Sequence, residues 1–163
     1  MSDTIKIFLH TGSNRGDRRD NLREAAELIS AEIGPVTKAS KVYRTQAWGV
    51  ADQPDFLNQA MEVETSLEPL ALLDKVLAIE AQMGRKRIRK WGQRLIDIDI
   101  LFYGDQVLKT ERLTIPHPYL HHRNFVLVPM LEIAPEWVHP VFNLSIAELQ
   151  NRSEDTLGVE ALE

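Results

Sequence analysis

The sequence predicts an α+β fold with elements in the order β-α-β-β-α-β, and three observations predict it. Four short runs rich in β-branched and aromatic residues recur along the chain, at 5–9, 36–43, 58–65 and 95–102. Between the first and second runs, and between the third and fourth, apolar residues repeat at helical spacing. Glycine and proline punctuate the joints, at Gly12, Gly16, Gly34-Pro35, Gly84 and Gly104. The chain has 163 residues, 44% hydrophobic and 26% charged, which suits one domain spanning 1–163 with a real core.

Ile5-Lys6-Ile7-Phe8-Leu9 reads as the first strand, broken by Gly12-Ser13-Asn14 and Gly16-Asp17. Leu22, Ala25, Ala26, Ile29 and Ile33 then mark a helix that Gly34-Pro35 ends. The second strand is read over 36–43, and a loop over 44–57 holds Gly, Pro, Asp and Gln. A third strand follows at 58–65. Ser66 is a candidate cap for the next helix, with Pro69 in its first turn. Its apolar side is read as Leu70, Leu73, Val76, Leu77 and Met83, with Gly84 as the stop. The fourth strand covers 95–102, and Gly104-Asp105 turns the chain toward Val107-Leu108. This order is the ferredoxin-like, split βαβ arrangement, an antiparallel sheet with helices on one face. Extra C-terminal elements follow: a short helix near 124–133, and a second one opened by the capping box of Ser145 and Glu148. The residues after Asn151 are polar and read as a frayed end.

Composition excludes several classes. The chain has no cysteine, so disulfides, thiolate zinc sites and a cysteine nucleophile are ruled out. No apolar run approaches the ~18 residues of a membrane span, and the first residues show no secretory signal, so a cytoplasmic protein without a membrane partner is expected. The formal net charge of −5 argues against a nucleic-acid partner. Against that acidic background, Arg85, Lys86, Arg87, Arg89, Lys90 and Arg94 form a basic run with no acid between them. Most such runs are solvated faces, but here the run concentrates positive charge in one segment.

That run leads into Leu95-Ile-Asp97-Ile-Asp99-Ile-Leu101. Side chains alternate along a strand, so Ile96, Ile98 and Ile100 share the core face while Asp97 and Asp99 share the other, roughly 7 Å apart. Paired carboxylates suit magnesium, which completes its shell with water and phosphate oxygens. The plainer reading is an acidic face meeting solvent, since Asp-x-Asp alone matches by chance. Phosphate-binding arginines close by favour the metal reading, because guanidinium forks bind phosphate bidentately. No Walker loop and no kinase glycine loop is present, so any nucleoside triphosphate is held by an unrelated solution. His117 is a candidate donor to phosphate or a loop histidine with a structural bond; Arg112, Arg123 and His121-His122 extend the positive field. His10 and His139 have no supporting context.

Taken together, Gly12-Ser13-Asn14, Asn21-Leu22, Tyr43-Arg44-Thr45, Gln53-Pro54-Asp55-Phe56-Leu57-Asn58, Trp91-Gly92-Gln93-Arg94, Asp97-Ile98-Asp99, Pro116-His117-Pro118 and Arg123-Asn124-Phe125 resemble the 6-hydroxymethyl-7,8-dihydropterin pyrophosphokinases. The resemblance implies the ferredoxin-like α+β fold and transfer of pyrophosphate from ATP to the pterin hydroxymethyl group, with AMP as the other product, in folate biosynthesis. It implies two magnesium ions held by Asp97 and Asp99, and a catalytic set of these two with Arg85 and Arg94. Around ATP it implies Glu80, Arg85, Arg87, Trp91, Arg94, Ile100, Arg112, Thr114, His117 and Arg123. Around the pterin it implies Thr45, Gln46, Trp48, Phe56, Asn58 and Phe125, with the two phenylalanines stacking on the ring. By residue type alone those phenylalanines read equally well as core. The single-domain members imply a monomer. Gln93 stands where the family often has proline, Pro118 where some members carry an aromatic residue, and His10-Thr11 where the family usually runs apolar into glycine. Two other classes fit parts of the pattern: a metal-dependent nucleotidyl or sugar-nucleotide transferase using Asp-x-Asp, and an RNA-binding ferredoxin-like module, although the aromatic RNP motif is missing.

Overall fold

The computed structural model describes residues 3–45, 55–85, 95–155 and 158–162, the side chain of Arg85 excepted. β1 (Ile5–Ser13), α1 (Arg18–Glu32), β2 (Val36–Ala39), β3 (Tyr43–Thr45), β4 (Phe56–Thr65), α2 (Pro69–Arg85) and β5 (Asp97–Tyr103) form the first two thirds. The sheet runs β5-β1-β4-β3-β8, with β2 also on β4 and β8 (Val159–Ala161) on the far edge. The strand read over 36–43 is two short strands on the same partner, because the Ser40 hydroxyl and amide tie into Ala60 between them. Taken as one bent strand, they complete the ferredoxin-like order of fourth, first, third and second strand.

Local chemistry explains the element ends. Asp17 caps α1 by accepting the Asp20 N–H at 3.1 Å, and Leu22, Ala25 and Ile29 form its buried face. Pro69 opens α2, where its missing N–H costs nothing. Gly84 does not stop this helix, which continues to Arg85. The core side of α2 is Leu72, Val76, Ile79 and Met83, whereas Leu70 and Leu77 are 41% and 45% exposed. The sequence reading therefore set the apolar stripe partly off the face that meets the sheet.

Two cores flank the sheet. Ile7, Leu9, Met61, Val63, Ile98 and Ile100 pack under α1 and α2. Phe8, Ala60, Leu101 and Phe102 pack under α3 (Asn124–Ile133) and α4 (Ile146–Arg152) on the opposite face. Helices thus cover both faces, not one. Leu101 and Phe102 share the second core although they are adjacent, because the register of β5 on β1 shifts between Phe8 and Leu9 and breaks the alternation. α4 carries the capping box of Ser145 and Glu148 that its sequence announces. The polar end after Asn151 is not frayed throughout: β8 pairs with β3. β6 (Leu108–Lys109) and β7 (Thr114–Ile115) make a small hairpin beside β5. No described helix is long and apolar enough to cross a membrane.

His139 stabilises the turn after α3 in a way that depends on pH. It is 3% exposed, and its Nδ1 accepts the N–H groups of Val141 and Phe142 at 3.1 and 3.3 Å. Burial, aided by His121, pushes the ring down to about 4. Below the ordinary histidine value the unfolded chain takes up the proton and the folded chain does not. Stability therefore falls as pH drops from about 6.5 toward 4. Urea unfolding across that window should show the slope. His139→Asn, whose amide oxygen can accept the same bonds without titrating, should reduce the slope and leave the part that the buried His10 and half-buried His117 contribute; an unchanged slope in that variant would contradict the assignment.

Candidate active site

On the face opposite α1 and α2, α3 covers only the end of the sheet that carries Phe8 and Ala60. Among the described residues no helix covers the other end. There, β1 contributes His10 and Gly12, β4 contributes Phe56 and Asn58, and β5 contributes Asp97 and Asp99. Register sets them side by side: Gly12 lies opposite both Asn58 and Asp97, and His10 lies opposite Asp99. All six line a cavity of about 940 Å³. Because β5 is the sheet edge, the cavity continues around it to Ile98, Ile100 and the α2 side chains Leu73, Val76, Leu77 and Glu80.

The motif glycine is a space requirement. A Cβ at Gly12 would stand 3.2 Å from Asn58 Oδ1 and 3.8 Å from Phe56, filling the floor of the cavity. Asn58 Nδ2 donates to Thr45 Oγ1 at 2.7 Å, an orientation assigned from that bond. Glu80 accepts the Ile98 N–H at 2.7 Å, satisfying a backbone donor at the free edge of β5. Ser13 and Asn21 meet at Leu95: the Ser13 hydroxyl donates to its carbonyl at 2.7 Å, and Asn21 Nδ2 donates to Ser13 Oγ at 3.1 Å and to the Arg15 carbonyl at 2.8 Å. These motif residues hold the entry to β5. Tyr43 likewise ties β3 to α3 by donating to Glu132 at 2.7 Å.

His117 sits over β5, its N–H on the Leu101 carbonyl at 3.0 Å. Its Nδ1 accepts from the Tyr119 amide at 3.3 Å, which leaves the proton of the neutral ring on Nε2. Burial lowers its pKa, Asp99 opposes this and Arg123 adds to it. The Arg123 guanidinium lies 5.4 Å from the Tyr119 ring and 5.6 Å from the Phe125 ring. His10 is 2% exposed; its Nε2–H donates to the Phe125 carbonyl at 3.1 Å and its ring meets the Phe125 ring edge-on at 5.5 Å. Burial pushes it down to about 4, against the pull of the Asp99 carboxylate.

Of the site residues read from the sequence, Thr45, Phe56, Asn58, Glu80, Asp97, Asp99, Ile100, Thr114, His117, Arg123 and Phe125 line this one cavity. Phe56 and Phe125 are both partly buried, and Phe125 also packs against the second core. Arg112 is not among the lining residues; its guanidinium pairs with Asp74 at 2.6 Å, beside Leu113 and Thr114, which do line it. Gln46, Trp48, the Arg85 side chain, Arg87, Trp91 and Arg94 lie outside the described residues. The sequence reading missed His10, the apolar wall of Leu73 and Leu77, Tyr119 and Asp155. Alternation with Gly12 along β1 was the signal that could have found His10.

Hard oxygen donors on one strand suit magnesium, and no cluster of three or more ligating side chains occurs among the described residues. A carboxylate pair of this kind fits an ion that takes its remaining ligands from phosphate and water rather than from a protein cage.

A cavity lined by two carboxylates, the Arg123 guanidinium and the rings of Phe56 and Phe125 suits group transfer between an anionic donor and a flat acceptor. On this sheet it defines the class of diphosphotransferases with a ferredoxin-like fold. The family model described as 7,8-dihydro-6-hydroxymethylpterin-pyrophosphokinase (HPPK) matches residues 8–135. The chain is 42% identical over 151 residues to the 2-amino-4-hydroxy-6-hydroxymethyldihydropteridine pyrophosphokinase of Aquifex aeolicus, covering 93% of this chain and 92% of that one. It is 47% identical over 139 residues to the enzyme of the same name from Synechocystis, covering 85% and 71%. Among solved structures, wild-type Plasmodium falciparum HPPK-DHPS with pteroate superposes with a TM-score of 0.76 at 19% identity, over 93% of this chain. This chain spans 43% of that longer one, and the likeness speaks to the fold. The chain belongs to the 7,8-dihydro-6-hydroxymethylpterin-pyrophosphokinase family. Membership tells against the nucleotidyl-transfer and RNA-binding alternatives.

Proposed function

We propose that the cavity on β1, β4 and β5 is where this chain carries out the family reaction, with Asp97, Asp99, His117 and Arg123 on the ATP side and Thr45, Asn58, Phe56 and Phe125 on the pterin side. The reaction moves pyrophosphate from ATP to the hydroxymethyl group of 6-hydroxymethyl-7,8-dihydropterin, in folate biosynthesis. The observation that supports the assignment is the rung Asn58-Gly12-Asp97, with the Asn58 amide and the Asp97 carboxylate on the two strands that flank β1.

The substrate hydroxyl oxygen forms the new bond to the β-phosphorus. The bond from that phosphorus to the oxygen bridging it to the α-phosphate breaks, AMP leaves, and the hydroxyl proton passes to solvent. No protein nucleophile is required. Phe56 and Phe125 hold the ring, and Asn58, with Nδ2 engaged by Thr45, offers Oδ1 to a ring N–H. His117 donates from Nε2 to a phosphate oxygen, and Arg123 neutralises charge that spreads in the transition state. Two magnesium ions held by Asp97 and Asp99 would supply charge neutralisation across the triphosphate. Arg85, Arg87, Trp91 and Arg94 complete the ATP side in this reading, Glu80, Ile100, Thr114 and Arg112 lie along the adenosine, and Gln46 and Trp48 adjoin the pterin. The reading also takes 1–163 as one domain acting as a cytoplasmic monomer.

The test is to incubate the protein with ATP, magnesium and 6-hydroxymethyl-7,8-dihydropterin. AMP and the pterin diphosphate should accumulate in equal amounts, only with all three present. Absence of AMP would overturn the reading.

A further inference from the structure

Residues beyond 135, where the family match ends, return to the cavity. Asp155 lines it. The helix α3 begins at Asn124, and its N-cap Arg123 makes no side-chain capping bond. The first N–H groups of a helix have no partner within it, and a nearby Ser, Thr, Asp or Asn usually supplies one. Here the partner comes from 31 positions away. Asp155 Oδ2 accepts the Asn124 N–H at 2.8 Å, and the Asp155 carbonyl accepts from Asn124 Nδ2 at 2.8 Å. A carboxylate at a helix N-terminus also meets the positive end of the helix dipole. Asp155 is held in turn by its own N–H, which donates to Ser153 Oγ at 3.2 Å.

These bonds grip the residue between Arg123 and Phe125. Further along, β8 pairs with β3 so that Val159 lies opposite Thr45, the residue that orients Asn58. The C-terminal tail is therefore joined to both sides of the pterin end of the cavity. We propose that Asp155 is a positioning residue for the pterin: it caps α3 from a distance and so holds Phe125 where the ring must stack. The inference rests on the assignment of Phe125 to the pterin. ATP is affected less, because the Arg123 backbone has a further bond outside α3, its N–H on the Leu120 carbonyl at 3.2 Å, and its guanidinium acts through charge, which tolerates small shifts.

Asp155→Ala should raise the pterin KM about tenfold while the ATP KM changes less than about threefold. Asp155→Asn keeps an oxygen for the Asn124 N–H and should restore most of the loss. A pterin KM that stays at the wild-type value, equal rises in both KM values, or an asparagine variant as poor as the alanine variant would each overturn the proposal. A second readout does not need turnover: hydrogen exchange at the Asn124 amide of the free protein should quicken about tenfold in Asp155→Ala. An unchanged exchange rate would overturn the proposal even if the wild-type protein formed no AMP, an outcome that by itself would count against the assigned reaction instead.

Discussion

Asp97→Ala and Asp99→Ala should each abolish AMP formation, by about a thousandfold or more, without unfolding the protein. Both carboxylates are half-buried on the cavity face of an edge strand, while Ile96, Ile98 and Ile100, which alternate with them, carry the packing. Losing one carboxylate removes half of the hard-oxygen donor set. Neither Gly12 nor His10, their neighbours across the strand, can replace an anionic ligand. The fold should be indifferent, because substitutions away from the core usually change stability by within ~0.5 kcal/mol. Without magnesium the variants should melt at or slightly above the wild-type temperature, since two like charges roughly 7 Å apart repel each other. Steady-state rates and melting curves, with and without magnesium, check both halves. A near-normal rate in either variant would show that the metal assignment is wrong.

Gly34→Ala should cost the most stability of any single methyl added to this chain's described glycines. A Cβ there would sit 1.9 Å from the Glu64 carbonyl oxygen and 3.0 Å from its carbon. Relief requires moving one of two anchored segments. Glu64 is paired with Lys6 in the central ladder, and its N–H donates to the Pro35 carbonyl at 3.1 Å. Gly34 itself donates to the Ile29 carbonyl at 3.1 Å at the end of α1. Forcing them apart costs about 3 kcal/mol, in the upper range for overpacking, and should lower the melting temperature by roughly 10 °C. A melting temperature within about 2 °C of wild type would show that the α1–β4 approach is softer than the contacts indicate.

Gly34 also shows where sequence reading stops. Gly34-Pro35 announces the end of a helix, and the helix does end there. The reason glycine is needed is the passage of β4, a strand 30 residues further along, at a distance that admits no side chain. The same division runs through the site. The placement of Asp97 and Asp99 on one face was legible, because strand alternation is a local property. So were α3 at Asn124–Ile133, the capping box of Ser145 and Glu148, and the order of the sheet-forming elements. The motifs from Gly12 to Phe125 also marked most of the described lining residues. Leu77 was read into the core because helical spacing identifies a stripe without saying which neighbour the stripe meets. It lines the cavity instead.

Sequence alone therefore determined what depends on spacing within one element: strand or helix, which residues share a face, where caps and turns fall, and which residue types can bind metal and phosphate. Tertiary structure decided what depends on register and on contacts between distant segments. It set His10 opposite Asp99 and under Phe125, 115 positions away. It turned a polar C-terminus into a strand and a helix cap. It left part of the second sheet face without a covering helix among the described residues, and the cavity lies there. The physical reason is that backbone donors, cavities and close approaches are satisfied or blocked by whichever atoms arrive, and the hydrophobic period of a single segment does not say which those are.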